Sequence, residues 1–169
     1  MTTTGESSKG TLPQGLHVID SNEVFAIAEF DRCMLTIWRL QPTRETFGKR
    51  DKEVAEFVAK YPGRCGYVEL IEPGSKPPPN DLRKAGVEVF RQLGKDLSCI
   101  AFVVDGAELR SAMVRAILAT MSFFVPATQP SKIFKRLGDM AEWVRQRIGE
   151  EDATFSARLA AAFEYLRKA

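Results

Sequence analysis

The chain has 169 residues, of which 44% are hydrophobic and 27% charged, and these values suit one globular domain with a core of its own. Its 24 basic and 22 acidic residues nearly cancel to a formal net charge of +2, which favours neither a nucleic-acid partner nor a membrane surface. No apolar run approaches the roughly 20 residues needed to span a bilayer, so we expect no membrane insertion.

The amino-terminal segment, residues 1–12, is rich in Thr, Ser, Gly and Lys and predicts a flexible tail. It lacks the apolar stretch of a secretory signal, which predicts a cytoplasmic protein. We assign residues 13–149 to the main domain and residues 150–169 to an added amphipathic helix.

Hydrophobic periodicity divides the chain into alternating strands and helices. Strands are predicted at 24–30, 33–40, 65–71, 97–104 and 122–126. Helices are predicted at 43–61, 80–93, 108–121 and 131–148, and from about 153 onward. Thr43 is the expected cap of the first helix and Ser131 that of the fourth. This order predicts an α/β fold with a mixed sheet of about five strands, an antiparallel hairpin at one edge and helices packed on it.

Two local patterns resemble the STAS superfamily, in its SpoIIAA-like bacterial branch. One is the run Leu97–Asp105, which looks like the central strand of that branch and its exit. The other is Ser131–Phe134 followed by Met140–Val144, which is similar to the closing helix of such proteins. The resemblance covers about residues 16–148 and implies a STAS-like domain that binds a protein partner in a bacterial regulatory pathway, without catalysis.

The resemblance also implies a phosphorylation switch at a serine near the start of the helix after the third strand. Ser75 lies in the corresponding loop, outside the Asp-Ser pair that is typical of the family, and is the candidate phosphoacceptor. The alternative is a solvated turn residue, because serine is common in turns. Its stiff, proline-rich loop supplies three candidate partner contacts, which are Ser75, Lys76 and Asn80.

The C-terminal helix carries an apolar seam that must be buried against something. Phe155, Leu159 and Phe163 are candidate partner contacts on this seam. Two alternatives stay open, namely packing on the chain's own domain and contact with a partner or a second copy in a homodimer. The basic side chains of the fourth helix have the same two interpretations, a solvated face or a docking face: Lys132, Lys135, Arg136, Arg145 and Arg147.

Other members of the family that this chain resembles bind small apolar or lipid-like ligands, which gives an alternative function as a carrier. That hypothesis predicts an apolar pocket between the sheet and the helices, lined by residues such as Phe30, Trp38, Phe102 and Phe124. An enzyme is the least favoured class. His17 is the only histidine, the three cysteines are far apart, and no glycine-rich phosphate loop is present. We therefore predict no catalytic residue, metal or cofactor.

Overall fold

Six strands form one sheet, and their order in space follows their order in the chain. The computed structural model describes residues 11–105, 113, 114, 116, 117 and 130–169. The elements are β1 Leu16–Ser21, β2 Phe25–Phe30, β3 Cys33–Trp38, α1 Arg44–Lys60, β4 Cys65–Ile71, α2 Asn80–Leu93, β5 Leu97–Val104, β6 Ser131–Phe134, α3 Leu137–Arg147 and α4 Phe155–Lys168.

The sheet is mixed, as the sequence predicts. Strands β1, β2 and β3 pair antiparallel, whereas β3, β4, β5 and β6 run parallel to one another. The parallel strands end at Trp38, Ile71, Val104 and Phe134, so their carboxyl ends lie at one edge of the sheet. The described part contains an additional strand, β1, that the sequence analysis missed because only one of its six residues is fully buried.

Alternating side chains divide the core into two layers, one on each face of the sheet. On β4, Val68 and Leu70 point to the face covered by α3 and α4, which we call the α3/α4 face. Tyr67 and Ile71 point to the opposite face, the α1/α2 face. Met113 and Ile117, which are helical, pack on the α1/α2 face as well. The predicted α/β class is therefore confirmed.

One predicted helix boundary is wrong. Ser131 was expected to cap the fourth helix, but Ser131–Phe134 is the edge strand β6, and the helix begins at Leu137. Ile133 pairs with Phe102 of β5, so the backbone of this segment is held in the sheet rather than in a helical turn. The predicted strand 122–126 and most of the predicted helix 108–121 lie outside the described residues.

The C-terminal helix α4 belongs to the core of this domain. The five residues of its apolar seam are completely buried on the α3/α4 face: Phe155, Leu159, Ala162, Phe163 and Leu166. Arg39 at the end of β3 donates to the carbonyl of Leu166 at 2.5 Å, and Arg167 forms ion pairs with Glu72 and Asp105. Of the two alternatives for this helix, packing on its own domain is the one found in the structure.

No described helix combines the length and the apolar character that a membrane crossing requires.

Candidate ligand-binding site

A cavity lies on the α1/α2 face, next to the carboxyl ends of the parallel strands. It offers about 90 Å³ to the centres of water-sized molecules and encloses about 640 Å³ of atom-free space, including its open mouth. Trp38 and Ile71, at the ends of β3 and β4, and Phe102, near the end of β5, form its floor, while residues of α1 and α2 form its walls. Ligands of open α/β sheets bind at this edge, beyond the carboxyl ends of the strands.

Helix α1 brings an arginine into this cavity. The helix begins with a reciprocal capping box in which Thr43 and Thr46 satisfy each other's backbone N–H groups. This start places Phe47, Arg50 and Val54 on the same side, since residues three and four positions apart share a helix face. All three are buried, and Arg50 is only 3% exposed.

The Arg50 guanidinium lies among acidic and phenolic groups. Its Nη1 is 3.3 Å from both the Tyr67 hydroxyl and Oε2 of Glu69, and Tyr67 donates to the same Glu69 oxygen at 2.5 Å. Nε is 2.7 Å from Oδ1 of Asp51, an ion pair without hydrogen-bond alignment. The remaining nitrogen, Nη2, is buried and has no hydrogen-bond partner among the described residues.

Three aromatic rings surround the same guanidinium. Its central carbon is 4.0 Å from the ring centre of Phe47, 5.2 Å from that of Phe90 and 6.0 Å from that of Trp38. Trp38 and Phe47 stack on each other with their ring centres 5.8 Å apart. The negative faces of aromatic rings attract a cation, so these contacts stabilise the charge of Arg50 where water is excluded.

The charge states follow from burial and neighbouring charges. Burial lowers the pKa of Arg50, but Tyr67, Asp51 and Glu69 outweigh it, and the pKa stays above its usual value. Burial, followed by the charge of Glu69, raises the pKa of the Tyr67 phenol well above its usual range. Burial also raises the pKa of Asp51, against the opposing effect of Arg50. At neutral pH the site therefore contains a permanent cation and a protonated phenol.

Close contact between α2 and this cluster depends on a glycine. A Cβ atom at Gly86 would lie 2.6 Å from the ring of Phe47 and 3.0 Å from Nη2 of Arg50. Distances of that kind are too short for any side chain, so only glycine lets the helix backbone approach the guanidinium. Gly86 thereby forms part of the cavity wall.

The proline-rich loop after β4 forms the mouth of the cavity, to which Ser75, Lys76 and Pro78 contribute. The loop is tied to the chain after β3, because Nε2 of Gln41 donates to the Pro77 carbonyl at 3.2 Å. Arg83 of α2 also lines the cavity. Together with Arg50, Lys76 and Arg83 give the described lining three basic side chains against one carboxylate, that of Glu69.

The structure gives the predicted contact residues of this loop different surroundings. Ser75 was expected on an exposed loop, but it is 2% exposed and its hydroxyl donates to the Leu40 carbonyl at 3.1 Å. A kinase would reach it only after the loop had moved, so the phosphoacceptor role stays a prediction. Lys76 is exposed at the mouth of the cavity. Asn80 is exposed at the start of α2, where its side chain accepts a hydrogen bond from Arg83.

The other three predicted contacts lie far from the surface. Phe155, Leu159 and Phe163 are completely buried beneath α4, with the ring of Phe155 packed 5.5 Å from that of Phe30. In this arrangement they hold the domain together and present no surface to a partner. Their role in homodimer or partner contact stays a prediction.

The predicted apolar pocket is found in part. Of the four residues that the carrier hypothesis named, Trp38 and Phe102 line the cavity. Phe30 faces the opposite side of the sheet, because it is packed on the α3/α4 face. Phe124 lies outside the described residues.

The charged centre of the site was not predicted from the sequence, and neither Arg50 nor Glu69 was among the candidate site residues. A signal was present, since Arg50 lies three residues after Phe47 and four before Val54, which places it on the apolar stripe. Glu69 likewise alternates with Tyr67 and Ile71 on one side of a buried strand. A charged residue in an apolar position is the pattern that marks such a site.

The basic residues expected on the fourth helix do not form one surface. Lys132 lies on β6, and Lys135 and Arg136 lie in the turn that follows it. Arg145 is paired with Glu142 at 2.7 Å, and Arg147 lies over the ring of Trp143. A shallow groove beside β6 contains three of these basic residues together with Asp139 and Glu142, so its charges are nearly balanced.

Within the described ranges, no group of three or more His, Cys, Asp or Glu side chains is placed to hold a metal ion. Cys33, Cys65 and Cys99 are free thiols buried in the core. Comparisons of the chain with protein-family models, with curated proteins and with solved structures gave no match.

Proposed function

We propose that this chain is a binding domain that holds a small, largely apolar molecule in the cavity between its sheet and helices α1 and α2. The observation that carries the proposal is an aromatic-lined cavity, at the carboxyl ends of parallel strands, on which a buried guanidinium converges. Apolar walls with a few placed polar groups are the usual composition of ligand pockets, and the lining of this cavity has that composition.

Val87, on the α2 wall, lines the cavity, so a larger side chain at this position would occupy its space.

The STAS-like assignment and the protein-partner role both stay predictions. Ligand-binding members of the family that this chain resembles make the carrier hypothesis compatible with that assignment. Four of the six residues on which the partner hypothesis depended are buried, namely Ser75 and the three seam residues of α4. The cavity therefore gives the better-supported function.

The test combines native mass spectrometry of the purified protein with ¹⁵N-resolved NMR titrations. Three probes of one shape are used: 3-phenylpropanoate, 3-phenylpropanamide and 3-phenylpropylamine. We expect a co-purified small molecule, or shifts confined to cavity residues with at least one probe. Replacing Val87→Phe fills the cavity and should abolish binding.

Val89→Phe is the matched control, because Val89 lies on the same helix and does not line the cavity. It should fold and bind like the unmodified chain. If no molecule co-purifies and none of the three probes shifts a cavity resonance, the proposed function is wrong. Equal binding by the Val87→Phe and Val89→Phe variants would also contradict it, because the ligand would then lie elsewhere.

A further inference from the structure

We infer that the molecule held in the cavity is a monocarboxylate, an acid with one anionic head group and a compact ring or short-chain body. This inference rests on the proposed function and specifies its ligand class. The carboxylate would pair with Arg50 on the α1 wall, and the apolar body would lie against Trp38 and Phe102 on the floor. No described residue accepts a hydrogen bond from Nη2 of Arg50.

The unpaired nitrogen of Arg50 is the first observation. Buried donors in proteins nearly always have a hydrogen-bond partner, so a buried Nη2 without one indicates that an acceptor is missing. The guanidinium is a cation that presents its N–H groups in a fixed plane, and a carboxylate oxygen is the acceptor that it prefers. On the α2 side the backbone at Gly86 lies against Nη2, because a Cβ atom there would be only 3.0 Å away, so the acceptor has to approach from another side.

The balance of charge around the guanidinium limits the ligand to one negative charge. Glu69 and Asp51 already contact Arg50, so a dianion such as a phosphate monoester would be repelled by both carboxylates. A cationic ligand would be repelled by Arg50 itself and by the two basic residues at the cavity, Lys76 and Arg83. These two side chains would also attract a monoanion toward the mouth.

Access to Nη2 requires a small movement, because the atom is covered by its neighbours. Phe90 is the wall residue placed to move. It is only partly buried, and its ring centre is 5.2 Å from the guanidinium carbon. Rotation of this ring, whose centre also lies 4.9 Å from that of Tyr67, would open a path from the cavity to Nη2.

The experiment measures the affinities of the same three probes by calorimetry at low ionic strength. The acid and the amide share one shape and differ in charge, whereas the amine has the opposite charge. A charge-assisted hydrogen bond predicts that 3-phenylpropanoate binds about ten- to a hundredfold more tightly than 3-phenylpropanamide. The amine should bind most weakly, and inorganic phosphate should not compete with the acid.

Three variants identify the residues responsible for the preference for the acid over the amide. Arg50→Lys keeps a cation beside Glu69 but loses the planar fork, and it should weaken acid binding about tenfold and amide binding by a smaller factor. Lys76→Gln, at an exposed position, should weaken acid binding a few-fold and tests the charge argument even if the Arg50 variant fails to fold. Lys49→Gln is the control, because Lys49 lies on the same helix, pairs with Asp20 and does not line the cavity.

Equal affinities for the acid and the amide would overturn the monocarboxylate inference and leave the proposed function intact. Competition by inorganic phosphate would overturn it as well, in favour of a phosphorylated ligand. If none of the three probes binds and no molecule co-purifies, the proposed function fails, and this inference fails with it.

Discussion

Removal of helix α4 is the perturbation that most directly tests the architecture. The helix buries four large apolar side chains completely: Phe155, Leu159, Phe163 and Leu166. Full burial of such a side chain contributes about 1.5–3 kcal/mol, so the four together contribute about 6–12 kcal/mol. Small domains have a total stability of about 5–15 kcal/mol. We therefore expect a chain cut before residue 153 to lose its cooperative fold rather than to lose a partner.

The assay compares the full chain with the truncated one by circular dichroism, thermal unfolding and gel filtration. The single substitution Leu159→Ala is a milder perturbation than removal of α4. It should lower the free energy of unfolding by about 2–5 kcal/mol. Ala161→Ser is its control, because Ala161 is exposed on the same helix. A truncated chain that melts as cooperatively as the full one, and changes only from dimer to monomer, would refute the reasoning. The seam would then face a second copy.

Three further predictions concern single buried or paired groups. Arg50→Leu should lower the free energy of unfolding, measured with urea, by about 3–5 kcal/mol, because it leaves the Glu69 carboxylate buried without its cation. Adding Glu69→Leu should restore part of that loss. Burial raises the pKa of the Cys65 thiol to about 11, so a disulfide reagent at neutral pH should label Cys65 only after unfolding, whereas prompt labelling of the native chain would contradict the burial. Hydrogen bonds from Arg145, Ser156 and Gln146 lower the pKa of Glu142 from 4.5 to about 2, so its contribution to stability is complete above pH 4.5 and is lost as the pH falls toward 2. Glu142→Gln should flatten the unfolding free energy against pH in that window, and an unchanged acid slope would show that Glu142 is not paired.

The alternating sheet and helix pattern made most of the fold predictable. Strong apolar runs such as Cys65–Ile71 and Leu97–Val104 lie at the centre of the sheet, where both faces are covered and the signal is clear. The two edge strands, β1 and β6, were missed. An edge strand is covered less completely and pairs on one side only, so its sequence carries less hydrophobic signal than that of a central strand. In β6, pairing with β5 prevailed over a helical pattern in the flanking residues.

The candidate site was predictable only in its apolar part. Trp38 and Phe102 were expected in a pocket because the carrier hypothesis, which came from ligand-binding members of the family that this chain resembles, places apolar residues between the sheet and the helices. The polar centre depends on distant residues that meet only in the folded chain, since Arg50 comes from α1 and Glu69 from β4. Helical spacing shows that Arg50 lies on the inward side of α1, but it does not show which acidic residue pairs with it in the folded chain. Only the three-dimensional structure shows that Nη2 of Arg50 is buried without a hydrogen-bond partner among the described residues.

The packing of α4 has a consequence for how the protein is made. This helix, the last described element, lies against β1, β2 and β3, which are synthesised well before it. At typical translation rates the delay between these strands and their cover is on the order of ten seconds. During that time the apolar surface of these strands is exposed to chaperones and to neighbouring nascent chains. The nascent protein is therefore most prone to aggregation before α4 is synthesised and covers these strands.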